Sequence, residues 1–264
     1  MNKVIRAEFG RTINAGLIIA IAGIIFSICF DSFNDLIAGL RNGQGYVGYF
    51  FSNAAFGGMC THYMLPVFTA LPFSVSLCQE RNNKAVSYIV SREGKNRYIF
   101  AKFIVSAISG GFVAACGTVL LFLILAMRFP IAGDEFEGAV VSDYFHEWSA
   151  VYYPQLYILT LSILAFCRGV IWSSLALCVS LYTSDFMVVL LSPFLGSYVL
   201  VRIFQIIRVP DMVRPDMILI GQVVIKSSGL TLLIAIAISL TIVTLIGAFF
   251  VGKMKEGLKS GTIY

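Results

Sequence analysis

Uncharged apolar stretches separated by short polar and basic segments dominate the chain, and their lengths predict its elements. From about Asn14 to Phe30 the residues NAGLIIAIAGIIFSICF carry no charge, approaching the roughly 20 residues that a helix needs to cross a bilayer. Four later runs, at about Phe100–Met127, Leu156–Tyr182, Phe186–Ile207 and Gly229–Val251, each span about 30 Å of hydrocarbon at about 1.5 Å per residue. A further run, Met64–Cys78, is shorter and holds Pro66 and Pro72, which predicts a kinked span whose freed carbonyls find neighbouring donors. The expectation is an all-α polytopic membrane protein with six transmembrane helices. Only Thr183, Ser184 and Asp185 turn the chain between the fourth and fifth. A basic start followed by an apolar stretch also suits a secretory leader, but no small-residue cleavage site follows Phe30.

Six spans place both ends on one side, and the basic residues choose which. Lys3, Arg6 and Arg11 precede the first run; Arg81, Lys84, Arg92, Lys95, Arg97 and Lys102 follow the second; Lys253, Lys255 and Lys259 follow the sixth. The opposite side has Arg41, Arg128, Arg202, Arg208, Arg214 and Lys226. Twelve against six predicts cytoplasmic termini by the positive-inside rule. Segments 128–155 and 208–228 then become outer loops.

Composition agrees. The chain is 58% hydrophobic and 12% charged, against roughly 45–50% and about 25% in soluble domains. Its basic residues lie in short segments between apolar runs, which argues against nucleic-acid binding. The six cysteines form no C-x-x-C pair, and Cys29 with Cys60 is the one pairing that the predicted outer face would allow. No H-E-x-x-H, G-x-S-x-G or Walker A pattern occurs, and Gly257-Leu258-Lys259-Ser260 lacks a phosphate-cradling loop before it. No cofactor is expected in this chain and no enzymatic site. His146 with Asp143 and Glu147 is a weak cation site at most, better read as a solvated loop.

The polar segment 79–98 is the most informative. Val86, Ile89 and Val90 have i, i+3, i+4 spacing, so a turn or two of helix would hold a small apolar face in water, and Gly94 suits its stop. A linker resting on lipid headgroups accounts for the same residues. At the amino terminus, residues Asn2–Ile13 place Val4, Ile5, Phe9 and Ile13 on one helical face and Lys3, Arg6, Glu8 and Arg11 on another. That predicts a helix lying along the inner surface, and an acid such as Glu8 needs a basic partner there.

The pair Glu80-Arg81 after the second run, the short apolar helix, and the return Ser91-Arg92, Lys95-x-Arg97-Tyr98, Ala101-Lys102-Phe103 into the third resemble the permeases of type-2 ABC exporters. The resemblance implies a coupling helix docking in a cytoplasmic ATPase, with Glu80, Arg81, Val86, Tyr88, Ile89, Val90 and Arg92 as contacts. It implies an interfacial helix bordering that ATPase through Arg6, Glu8 and Phe9. ATP and magnesium would sit on the ATPase subunits, and a second identical or related permease would complete the complex in a bacterial plasma (inner) membrane. The cargo would be an amphipathic peptide, lipid or drug-like molecule. A non-transporting sensory or immunity protein and a secondary transporter remain alternatives. Arg168, inside the fourth run, is a pathway candidate, because an ionisable residue within a span is costly; snorkelling or pairing inside the bundle is the structural alternative.

Overall fold

The structure is a computed structural model describing residues 2–42, 47, 50, 58–130, 154–221, 223, 225 and 227–260. The regular elements among them are all helical. Helices α1 (Asn2–Thr12) and α2 (Ala15–Asp31) meet at a 56° bend. Asn14 serves both ends of it: its side-chain oxygen accepts from the Leu17 N–H at 3.1 Å, and its amide donates to the Arg11 carbonyl at 3.1 Å. Helix α3 (Phe33–Asn42) follows through Ser32.

The second apolar run is interrupted more severely than by a kink. Helix α4 (Met59–Ala70) stops before a stretch of turns at Leu71–Val75, and α5 (Ser76–Asn82) begins beyond it. Pro72 supplies no N–H and blocks the helical path of the preceding turn. The backbone tightens instead, with Leu71 N bonding Phe68 O and Ser76 N bonding Phe73 O. At the far end Asp31 accepts from the Cys60 and Thr61 N–H groups at 3.0 and 2.6 Å, satisfying first-turn donors of α4.

Helix α6 (Val86–Glu93) ends at Gly94, whose φ of +87° lets the chain reverse into α7 (Lys95–Ala126). Helices α8 (Pro154–Val179) and α9 (Phe186–Ile207) follow. Pro193 interrupts α9 at Val189 O, and the Ser192 hydroxyl donates to that carbonyl at 2.8 Å. A 3-10 turn (Asp211–Val213) and α10 (Pro215–Ile220) then lead to α11 (Ser228–Ser260).

Four of these helices, α7, α8, α9 and α11, are long and apolar enough to cross a membrane, and the bent α1–α2 pair makes a fifth if it is one span. Their outward faces carry side chains such as Ile206 (79% exposed) and Leu245 (67%), a surface suited to hydrocarbon and not to water. Helix α8 is central, packing on α4, α7, α9 and α11. It crosses α7 where Gly110 and Gly111 face Gly169, so closely that a Cβ on Gly169 would lie 2.5 Å from Gly110 O. Ser74, Ser106 and Ser173 close the crossing with mutual hydroxyl contacts of 3.0–3.1 Å. Small residues at four-residue spacing, Ser106 and Gly110 on α7, Gly169 and Ser173 on α8, are the sequence signal for such an approach.

Candidate functional site

At one end of the bundle α1, α5 and α7 converge on a buried ionic cluster. Lys102 is 0% exposed and its Nζ lies 2.7 Å from Glu80 and 3.1 Å from Glu8. It also donates to Ser76 Oγ at 3.2 Å and sits 4.7 Å from the centre of the Phe73 ring. Arg11 pairs with both acids. The Tyr98 hydroxyl donates to Glu80 Oε2 at 2.6 Å. Two carboxylates and two cations balance, and each carboxylate is buried with charged donors in reach, the condition under which such a cluster is tolerated. Three segments far apart in sequence are thereby locked together.

Glu8 thus has the basic partners its position requires, although α1 is turned differently from the expected amphipathic face. Val4, Glu8 and Thr12 form its buried stripe, Phe9 is half-buried, Arg6 is exposed, and Ile13 is 80% exposed. The i, i+4, i+8 stripe follows the cluster because ion pairing at Glu8 outweighs burial of Ile13. Lys102, grouped by sequence with the cytoplasmic cations, is interior to α7. The signal was its place two residues inside the Phe100–Met127 run.

Glu80 lies outside the long apolar helices. Burial alone would raise its pKa, but the Lys102 charge and the hydrogen bonds from Lys102, Tyr98 and Arg11 hold it below the ordinary carboxylate value of 4.5. A depressed folded-state value gives stability that is present above the unfolded value and lost as pH falls through the folded one. Thermal unfolding in detergent is therefore expected to lose stability as pH drops below 4.5, and Glu80→Gln should flatten that limb. An unchanged acid limb in Glu80→Gln would contradict the pairing.

The neighbouring α6 does not present its apolar face to water. Val86 and Val90 are buried at 1% and 5% exposure, packed with Leu77, Tyr98, Leu177, Phe250 and Met254. The reason is that the ends of α7, α8 and α11 offer an apolar seat directly beneath the loop. Arg81 also turns inward, donating to the Ser180 and Leu181 carbonyls at 3.0 and 3.2 Å at the end of α8. What α6 shows to solvent is Ser87, Tyr88, Ser91 and Arg92, with Tyr88 71% exposed and Ile89 half-buried. Of the seven sequence-selected contacts in this segment, Tyr88 and Arg92 are outward, whereas Glu80, Arg81, Val86 and Val90 hold the loop to the bundle.

Arg168 lies apart from this cluster. It is 8% exposed and lines a cavity of about 130 Å³ among α4, α8, α9, α10 and α11. It also borders a smaller one, of about 30 Å³, with Thr61. His62 lines the larger cavity. The six cysteines are unpaired, and among the described residues no cluster of His, Cys, Asp and Glu could hold a metal. His146, Asp143 and Glu147 lie outside the described residues.

Comparison with protein-family models, with curated proteins and with solved structures finds no match to this chain.

Proposed function

We propose that the chain is the permease subunit of an ATP-driven exporter of the type-2 ABC class, powered by separate ATPase subunits. The observation that carries this reading is α6: a short helix fastened by Val86 and Val90 to the ends of the long helices, with an exposed aromatic side chain, Tyr88, on its outer face. Force applied there reaches α7, α8 and α11 through the apolar seat and α1 through the Glu8–Lys102–Glu80 cluster. ATP-driven closure of the ATPases would shift the bundle because their contact with α6 differs between the two states.

In this reading the ionic cluster marks the cytoplasmic side of the plasma membrane, both termini lie there, α1 is the interfacial helix, and α2, the interrupted α4–α5 segment, α7, α8, α9 and α11 are six spans. The arrangement of α4 between α2 and α9, with packing on both, supports a cargo cleft along the first, second and fifth spans. A second permease copy would close that cleft, and an amphipathic peptide, lipid or drug would pass through it.

The test is purification in mild detergent from the native host. An ABC ATPase is expected to accompany the wild-type chain. Tyr88→Asp combined with Arg92→Glu should release it while the melting temperature of the membrane subunit stays within about 2 °C, since surface changes usually cost under about 0.5 kcal/mol. A wild-type preparation with no ATPase, or undiminished association in the double variant, would sink the docking role.

A further inference from the structure

We infer that the cavity at Arg168 binds the carboxylate head of a single-chain amphiphile, a fatty acid or a molecule of that form. The inference rests on the cavity itself and holds whether or not the chain is an exporter.

Arg168 is the fifteenth of 26 residues in α8, so its backbone lies about 16 Å from the nearer helix end at about 1.5 Å per residue. A guanidinium stays charged there, and a charge at such depth needs a counter-ion. Among the described residues it makes no hydrogen bond and no ion pair. The carboxylate that shares its cavity, Asp216, is already held by Arg214 at 2.7 Å. A second unpartnered group adjoins: the Thr61 hydroxyl is buried without a hydrogen-bond partner, and Thr61 and Arg168 both border the smaller cavity. An arginine fork and a free hydroxyl are complementary to an oxyanion with two acceptor oxygens.

The remaining walls select what carries that oxyanion. Apart from His62, Ser197 and Asp216 they are apolar, Ile171, Trp172 and Ile246 among them, so a small hydrated anion would lose most of its water with little to replace it. An alkyl chain gains from the same surface. Leu200 belongs to α9 and Ile242 to α11, two helices that both pack on α8 and scarcely touch one another. An alkyl chain leaving the cavity between these two helices would lie against the surrounding lipid. A two-chain phospholipid is anchored at headgroup level by its glycerol, whereas a single-chain carboxylate can sink its head to the depth of Arg168.

The chain has two tryptophans, Trp148 and Trp172, so Trp148→Phe leaves the cavity residue Trp172 as sole reporter. The purified full-length protein in detergent micelles is titrated with dibromostearic acid, whose bromines quench tryptophan on contact. Saturable quenching is expected, reversed by unlabelled palmitate and shifted at least tenfold to higher concentration by Arg168→Gln. Dibromostearyl alcohol should quench without saturation and without dependence on Arg168. Ile246→Phe, which narrows the apolar wall and leaves the charge in place, should also weaken the carboxylate and covers the case of an Arg168→Gln protein that fails to fold. Equal quenching by acid and alcohol, or insensitivity of the acid to both substitutions, would overturn the site. Arg168-dependent quenching by a brominated phosphatidylglycerol as strong as by the acid would overturn the single-chain occupant.

Discussion

Replacing Lys102 with methionine is expected to destabilise the protein by about 3–5 kcal/mol, the usual cost of removing one member of a buried ion pair. The side chain it removes is wholly buried, pairs with both Glu8 and Glu80, and is the nearer cation to Glu8. Arg11 would remain, but it is 46% exposed and cannot alone compensate two carboxylates that are 7% and 3% exposed. The loss should be strongly non-additive. Lys102→Met combined with Glu80→Gln removes one charge of each sign, leaves Glu8 opposite Arg11, and should recover at least half of the single-variant loss. Thermal unfolding of the detergent-solubilised chain reads both quantities. If the double variant loses the sum of the two single losses, the cluster is not a coupled unit. Its role as the joint between α1, α5 and α7 then fails too.

The features that were legible in the sequence are those written in one segment at a time. Run length alone placed α7, α8, α9 and α11, because an uninterrupted apolar stretch longer than a bilayer is wide has few other conformations open to it. The helix at Val86–Glu93 and its stop at Gly94 were likewise local. Direction was not. Val86 and Val90 read as a face waiting for a partner protein or resting on lipid headgroups, whereas they are seated on the bundle, since spacing gives the stripe and not what covers it. Lys102 was hidden for a related reason. Seven residues from Lys95 and close to a basic loop, it counts as one more inside-positive charge until Glu8, 94 residues away, is brought to its Nζ. The isolation of Arg168 among the described residues is a statement about many neighbours at once and has no local signature beyond the charge itself.

Gly169→Ala is expected to cost about 2–4 kcal/mol, a large effect for one methyl group, because the added carbon has nowhere to go and nothing near it is free to yield. It would stand 2.5 Å from Gly110 O and 2.9 Å from Gly111 Cα, backbone atoms of a neighbouring helix. Overpacking of this kind typically costs about 1–3 kcal/mol. Separation of α7 from α8 would also stretch the contacts among Ser74, Ser106 and Ser173, where the Ser173 hydroxyl donates to Ser106 O at 2.6 Å, and interhelical hydrogen bonds in membranes contribute roughly 0.6 kcal/mol each. Gly252→Ala, at an exposed position in the carboxyl-terminal half of α11 with no atom within 4 Å of the added carbon, is the matched control. It should stabilise by up to about 1 kcal/mol through helix propensity alone. Opposite signs in the two melting temperatures would identify backbone proximity, and not the loss of a glycine, as the cause. Shifts of the same sign would refute it. The crossing also sets the neighbouring position: with Gly169 pressed against α7, the adjacent Arg168 borders the cavities instead of that interface, so a wedge at Gly169 should weaken carboxylate binding at Arg168 along with the fold.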